Sequence, residues 1–260
     1  MFDYHMHSLV SFDGHDTPEM LANAAIKAGL KEICFTDHVD DDPKGGPQNR
    51  FTIESYNAAY DGFEMPGLKI RRGFEFGMLS DNQALLKWYL SQRHFDFVIG
   101  SMHYVDNWDP YDAQYWEGKT KEYAELRYLE ATLEAVKAHD DFDVLGHLTY
   151  ICKAWANPTN RLIPYEWHKE LFDEILKTLA SKGKGMEINS SGVNRCGDFL
   201  PTKEFLQRFK ELGGEIVTVG SDAHTSDRVG QYMHEACKIA NDIFGYVCTF
   251  EDRKPIFHKL

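Results

Sequence analysis

Residues 1–38 read MFDYHMHSLVSFDGHDTPEMLANAAIKAGLKEICFTDH, the pattern of a strand, a helix and a second strand. We predict strands over Phe2–His5 and Glu32–Thr36, because short apolar runs between turn signals are typical of buried strands. The helix between them is predicted to begin after Thr17, whose hydroxyl can cap it, with Pro18 in its first position. Gly29 suits the residue just past the helix end. The opening of the chain therefore predicts an α/β fold.

The rest of the chain repeats this alternation. Further strands are predicted over Lys69–Phe76, Phe95–Ser101, Phe142–Gly146, Gly185–Asn189 and Glu215–Gly220. Further helices are predicted over Thr52–Glu64, Asp81–Arg93, Lys119–Ala138, Tyr165–Ser181, Thr202–Leu212 and Arg228–Phe244. About seven strands, with no glycine-rich dinucleotide motif after the first, favour a closed or nearly closed barrel over a doubly wound sheet. The length of 260 residues suits a single domain, 1–260.

Every predicted strand delivers an imidazole, a carboxylate or an amide at its end. In chain order the strand ends hold His5 and His7, Asp37 and His38, Glu75, His103, His147, Glu187 and Asn189, then Asp222 and His224. Parallel strands of a barrel all point one way, so these side chains converge on one rim. Imidazole and carboxylate ligands together suit Zn, Mn, Fe or Co better than Ca. The joint pattern predicts a cluster of divalent metal ions.

The histidines outside the strand ends are expected to differ. We expect the following to be surface residues without a role, because they fall in predicted helices, at a helix end or near the C-terminus: His94, His139, His168, His234 and His258. In the first loop either Asp13 or His15 can reach back to the rim. The acidic run Asp40–Asp42 is interpreted as a solvated loop, although it could favour a cationic substrate.

Composition limits the partners and the compartment. The net charge of −13, with no cluster of lysine and arginine, argues against a nucleic-acid partner. Metal cations and small, partly cationic substrates fit this charge better. No stretch approaches the roughly 20 apolar residues of a membrane span, and no secretory signal is visible at the N-terminus. The cysteines are scattered and odd in number, which predicts a reduced, cytoplasmic protein.

The motifs resemble those of the polymerase-and-histidinol-phosphatase (PHP) superfamily. The residues that carry the resemblance are His5-Met6-His7-Ser8, Ser11-Phe12-Asp13-Gly14, Thr36-Asp37-His38, Gly73-Phe74-Glu75, Ser101-Met102-His103, Gly146-His147 and Ser221-Asp222-Ala223-His224. Their order and spacing extend over nearly the whole chain. Phe35–His38, Glu187–Gly192, Arg195 and the length resemble, within that superfamily, the histidinol-phosphate phosphatases.

The resemblance implies a distorted (β/α)7 TIM-like barrel with three divalent ions, Zn, Mn or Fe. The ligands that it implies for the first ion are His5, His7, Glu75 and Asp222. It implies that Glu75 bridges to a second ion, which also has the ligands His103 and His147. A third ion would bind His38 and His224, with Asp13, which we prefer, or His15 completing it.

The resemblance also implies a phosphate monoester substrate, L-histidinol phosphate of histidine biosynthesis. Arg195 would bind the phosphate, with Arg161 as a second candidate. A hydroxide bridging the first two ions would attack phosphorus, and the ions with Arg195 would stabilise the developing charge. Asp222 or His224 is expected to protonate the leaving oxygen.

Other functions stay open from the sequence. A nuclease or nucleotide phosphoesterase of the same superfamily would use the same ligands. An amidohydrolase-type enzyme also has His-x-His on its first strand, but it usually needs a lysine on the fourth, which here ends in Ser101-Met102-His103. A non-catalytic metal-binding module would have no use for a phosphate-binding arginine. Thr149, where relatives often have aspartate, and the segment Cys152–Asn160 depart from the superfamily pattern. Neither the native metal nor the oligomeric state follows from the sequence.

Overall fold

A computed structural model describes residues 1–44, 49–154 and 162–259. The strands are β1 Phe2–Asp3, β2 Glu32–Phe35, β3 His38–Asp40, β4 Lys69–Gly77, β5 Phe97–Ser101, β6 Val144–Leu145, β7 Gly185–Asn189, β8 Val217–Gly220, β9 Tyr246–Glu251 and β10 Lys254–Lys259. The helices are α1 Pro18–Lys27, α2 Ile53–Tyr60, α3 Gln83–Gln92, α4 Ala113–Trp116, α5 Lys121–Ala138, α6 Lys169–Ser181, α7 Ser191–Cys196, α8 Lys203–Glu211 and α9 Met233–Phe244.

The main sheet is parallel and curls into a nearly closed barrel, which confirms the predicted fold class. Its strands follow the order β1-β2-β4-β5-β6-β7-β8, and β3 pairs with the second half of β4. Hydrogen bonds join the first strand region to the last: the Tyr4 N–H donates to the Val219 carbonyl at 2.9 Å, and the Asp222 N–H to the His5 carbonyl at 2.8 Å. The first and last strands of the sheet therefore meet beside the predicted ligands His5 and Asp222.

Between β1 and β2, the residues predicted to begin and end the helix do so in the structure. The Thr17 side chain accepts a hydrogen bond from the Met20 N–H, and Pro18 begins α1. Gly29 has a φ of +74°, a left-handed conformation that costs glycine little. The amphipathic helix buries Leu21, among others, against the barrel. These contacts fix where β2 starts, and hence where the Thr36–His38 turn lies.

The C-terminal hairpin of β9 and β10 is absent from the sequence prediction. It packs on one end of the barrel, where Phe250 contacts Phe97 and the Tyr4 hydroxyl accepts a hydrogen bond from the Phe250 N–H. Arg253 in its turn donates to the Asp143 carboxylate at 2.5 Å. Phe97 begins β5, so the hairpin closes the end of the barrel at which the strands start. The opposite end of the barrel, at which the strands finish, is therefore the end available for binding ligands.

Candidate metal centre

The predicted first set of ligands meets around one oxygen of Glu75, at the carboxyl ends of the strands. Glu75 Oε2 lies 3.2 Å from His5 Nε2 and 3.5 Å from His7 Nε2. Asp222 Oδ1 lies 3.6 Å and 3.4 Å from the same two nitrogens. Asp222 follows β8 with a φ of +56°, and its backbone N–H is fixed by the His5 carbonyl. The last strand thus brings its carboxylate to the first.

The second set uses the other oxygen of Glu75. Glu75 Oε1 lies 2.9 Å from His147 Nε2 and 3.3 Å from His103 Nε2. The Ser101 hydroxyl donates to the same oxygen at 2.6 Å. Since Glu75 is fully buried and offers one oxygen to each set, it has the geometry of a bridging ligand.

The third set lies at the mouth of the barrel. Asp13 Oδ2 is 3.1 Å from His224 Nε2 and 3.4 Å from His38 Nε2. The His7 ring stacks on both of these histidines, at 4.2 Å between ring centroids in each case. His15 has an exposed side chain, and only its backbone N–H reaches the set, donating to the His224 carbonyl. The geometry therefore favours Asp13 over His15.

Unpartnered buried atoms test whether these residues fit metal ions. His5 Nε2, His7 Nε2 and Glu75 Oε2 are buried and make no hydrogen bond. Such atoms are costly unless something binds them. A tetrahedral ion with bonds of about 2.0–2.1 Å separates its ligand atoms by about 3.3–3.4 Å, which matches the spacings in the first set. The donor atoms therefore fit a divalent transition ion.

Carboxylates behind the histidines orient the rings. Glu187 Oε1 contacts His5 Nδ1 at 2.6 Å, and Glu187 Oε2 accepts from the His147 N–H at 2.9 Å. Asp40 Oδ1 contacts His103 Nδ1 at 2.9 Å. The contacts to His5 Nδ1 and His103 Nδ1 fix the tautomer that presents Nε2 to a metal, whereas the contact to His147 holds its backbone. Asp40 is buried, so the interpretation of this residue as part of a solvated loop is wrong.

The charged side chains of the ligand sets shift one another's pKa values. Burial lowers the pKa of His5, but Glu187, Glu75 and Asp222 outweigh burial and hold that pKa well above its usual value. Burial raises the pKa of Glu75, but His5 and His103 hold it well below its usual value. For His7, burial and the neighbouring His38 lower the pKa well below its usual value. The surroundings of His7 therefore favour the neutral imidazole, which is the form that binds metal ions.

A cavity of about 290 Å³ opens above the cluster. Its volume is at the lower end of the range for ligand pockets, about 300–1,000 Å³, which suits a small substrate. The sequence prediction missed Lys153, whose ammonium lines the cavity, binds Asp222 Oδ2 and donates to the Ser191 hydroxyl at 3.0 Å. Burial lowers the pKa of Lys153, but Asp222 outweighs it and raises that pKa above its usual value.

The predicted phosphate-binding arginines are placed less directly. Arg195 is exposed on α7, and its Nε donates to the Lys153 carbonyl at 3.1 Å. It therefore lies beside the cavity, behind Lys153. Arg161 lies outside the described residues. No helix in the described part of the chain is long and apolar enough to cross a membrane.

One expectation about the other histidines is wrong. His139 is buried, with 1% exposure, and its Nε2 contacts the Leu79 carbonyl at 2.8 Å. It follows α5 directly, at a point where the chain turns inward toward Phe142 and β6. A histidine at a helix end is thus compatible with a structural role in the core.

The fold and the three ligand sets define a class of protein. The PHP domain profile matches residues 3–191, and the chain belongs to this family. The chain is 33% identical to the histidinol-phosphatase of Lactococcus lactis subsp. lactis over 97% of this chain and 95% of that protein. It is 29% identical to a probable histidinol-phosphatase of Clostridium acetobutylicum, over 99% of this chain and 96% of that protein.

Solved structures agree with the sequence relatives. The crystal structure of the Lactococcus lactis histidinol phosphate phosphatase, in complex with zinc, L-histidinol and phosphate, superposes with a TM-score of 0.82 at 30% identity. The superposition extends over 98% of each chain. A putative histidinol phosphatase from Listeria monocytogenes shares the fold, with a TM-score of 0.74 at 19% identity over 91% of this chain and all of that one.

Proposed function

We propose that the protein hydrolyses L-histidinol phosphate to L-histidinol and phosphate, a step of histidine biosynthesis. The observation that carries the proposal is the convergence of the ligand sets on the two oxygens of Glu75, beneath a small cavity. The zinc, L-histidinol and phosphate in the related crystal structure support it. Acting on a small phosphate ester also agrees with the net charge of −13, which disfavours nucleic acid.

We assign the ligand sets to three divalent ions, as the family resemblance implies. His5, His7, Glu75 and Asp222 would hold the first ion. Glu75, His103 and His147 would hold the second, and Asp13, His38 and His224 the third. When bound, such ions lower the pKa of water and polarise phosphoryl oxygens. Zinc is supported by the related structure, and the mixed imidazole and carboxylate set also suits manganese and iron.

The protein's own cations complete the binding of phosphate. Lys153 presents a buried ammonium to the cavity, and Arg195 lies directly behind its backbone. We propose that both lower the energy of the negative charge that collects on the phosphoryl oxygens in the transition state. Lys153 also holds one oxygen of Asp222, which leaves Asp222 Oδ1 directed at His5 and His7.

Asp222 and His224 remain the predicted proton donors to the leaving oxygen. Burial raises the pKa of Asp222, but Lys153 and His5 outweigh burial and hold it well below its usual value. An ionised Asp222 has no proton to give, so its role would first require the ion pair with Lys153 to open. If His224 Nε2 held an ion, the only ring proton would be on Nδ1, which contacts the Asp222 carbonyl at 2.9 Å, so donation from His224 would require an ion-free Nε2 or loss of that contact.

The compartment and the domain extent follow from the same proposal. All the cysteines are free thiols, Cys196 partly exposed and the others buried, which suits the reduced cytoplasm. Ligands come from residues 5 to 224, and the hairpin of β9 and β10 closes the opposite end of the barrel. We therefore propose that residues 1–260 act as one catalytic domain.

A substrate panel tests the function. The purified protein, loaded with zinc or manganese, is assayed on L-histidinol phosphate, a nucleoside monophosphate, a phosphodiester and an amide. We expect L-histidinol phosphate to give the highest kcat/KM. A higher kcat/KM for the nucleotide or the diester would replace the proposed substrate, and turnover of the amide alone would point to an amidohydrolase.

A further inference from the structure

The loop after β5 contributes a carboxylate to the cavity wall that the metal ligand sets do not use. This residue, Asp109, accepts a hydrogen bond from the Tyr111 N–H at 2.8 Å through Oδ1. The Tyr150 hydroxyl lies 3.2 Å from Oδ1 and 3.3 Å from Oδ2. A hydroxyl has a single proton, so it satisfies only one of these oxygens. Asp109 therefore keeps acceptor capacity directed at the cavity.

Asp109 differs in charge environment from the other carboxylates of the cavity. Asp13, Asp40 and Glu75 each contact histidines, and Asp222 pairs with Lys153. Asp109 forms no ion pair with any residue of 1–44, 49–154 or 162–259. Burial raises its pKa to about 6, since its hydrogen bonds do not fully compensate the loss of water. A cation arriving from the cavity would supply the missing partner.

Aromatic rings surround this carboxylate. The rings of Tyr111 and Tyr150 lie 5.3 Å apart, and Tyr150 lies 5.2 Å from His103 and 5.0 Å from His147. Tyr150 therefore stands between the second ligand set and Asp109. Ring faces attract cationic groups, and they also pack against flat heterocycles. Asp109 and the ligands Glu75, His103 and His147 line the same cavity, so one small substrate can face both.

We propose that Asp109 binds the cationic nitrogen of the leaving alcohol, so that the site selects phosphate monoesters of amino alcohols. The inference rests on the proposed function, because it places the phosphate over the metal ligands. Histidinol carries an ammonium two carbons from its ester oxygen, which fits this chemistry. Asp109 is thus a specificity-determining residue, whereas Asp40 and Asp41 are not, because Asp40 is committed to His103 and Asp41 pairs with Arg50.

The test compares Asp109→Asn with the wild type on two substrates. L-Histidinol phosphate has a cationic leaving group, and p-nitrophenyl phosphate a neutral one. We expect the ratio of their kcat/KM values to fall about 10- to 100-fold in the variant, the size of one charged hydrogen bond. Calorimetry should show L-histidinol binding weakened by the same factor of about 10 to 100 relative to phosphate binding.

A matched control is Asp112→Asn, which removes the same charge from the same loop at a carboxylate that pairs with Lys44 outside the cavity. In Asp112→Asn, the ratio of kcat/KM for L-histidinol phosphate to kcat/KM for p-nitrophenyl phosphate should stay at the wild-type value. An equal loss on both substrates in Asp109→Asn, or an unchanged ratio, would overturn the inference. If Asp109→Asn does not fold, the inference is tested on the wild-type protein with two substrates. Equal kcat/KM for L-histidinol phosphate and its analogue without the amino group would overturn it, and a preference for the amine would support it.

Adding a second amino-alcohol phosphate to these assays separates this inference from the proposed function. Strong wild-type turnover of L-histidinol phosphate with an unchanged ratio in Asp109→Asn would refute only the role of Asp109. No wild-type turnover of L-histidinol phosphate, together with a preference for other amino-alcohol phosphates that Asp109→Asn abolishes, would refute only the proposed substrate.

Discussion

Replacing Glu187 by glutamine should weaken metal binding without removing a ligand. Glu187 contacts His5 Nδ1 at 2.6 Å and accepts from the His147 N–H at 2.9 Å and from Asn189 Nδ2 at 3.1 Å. Glutamine keeps the shape but has one acceptor oxygen and no charge. Whichever way the amide lies, at least one of these donors faces an NH2 group instead of an oxygen. The orientation of His5 or the position of His147 must therefore loosen.

The expected size follows from these contacts. Loss of a carboxylate behind a metal-binding histidine typically weakens metal affinity about 10- to 100-fold, or about 1.4–2.7 kcal/mol. An unpaired buried N–H adds a loss of about 1–3 kcal/mol in the free energy of unfolding. Glu187 also raises the pKa of His5, so its removal makes the proton on His5 a weaker competitor for the metal. The loss of affinity should therefore be smaller at pH 6 than at pH 8.

Competition with a chromophoric zinc chelator at both pH values measures the affinity, and chemical denaturation measures stability. Glu122→Gln, an exposed residue in the first turn of α5, serves as the matched control. Wild-type zinc affinity in Glu187→Gln at both pH values would refute the argument that this carboxylate orients the histidines. A loss that grows toward low pH would refute the assigned competition by the His5 proton.

Further substitutions and changes of condition each test one assigned role. Glu75→Ala should lose bridged metal, measured by elemental analysis, and at least about a thousandfold in kcat, because removing it opens both ligand sets; near wild-type turnover would contradict the bridge. Arg195→Ala should raise KM with metal content retained, whereas unchanged kinetics would remove Arg195 from phosphate binding. Burial lowers the pKa of His38, but Asp13 and Glu75 outweigh it and raise that pKa to about 9. The metal-free protein should therefore lose stability as the pH rises from about 6.5 to about 9, and metal affinity should rise over the same range; a flat denaturation midpoint would contradict this. Chelation should lower Tm, since ions bind the folded state, and an unchanged Tm would mean that no ion was bound to the folded protein.

The sequence was informative about the ligands because two regularities act together. Strand ends in a parallel barrel share a rim, and residues two apart share a face, so His5 and His7 could be assigned jointly with Glu75. The strand alternation also predicted the barrel itself. These regularities depend only on chain order, and chain order is visible in the sequence.

The features that could not be predicted from the sequence depend on how neighbouring strands and loops are placed in space. Glu187 and Asp40 are strand-end carboxylates like Glu75, and only the register decides that they contact a ring from behind rather than share its metal. β3 was missed because it is short and pairs beside the end of β4. Lys153 follows a short 3-10 turn at Tyr150–Cys152, with no periodic pattern to indicate that its ammonium faces the cavity.

The meeting of β1 with the segment after β8 has a consequence for how the protein is made. The first ligand set joins His5 to Asp222, a residue that is synthesised 217 residues later (222 − 5). During synthesis the nascent chain therefore lacks a complete first site until Asp222 has been added. Metal loading of the first site must then follow the synthesis of Asp222, and a truncated chain that ends before Asp222 should emerge without a complete first site.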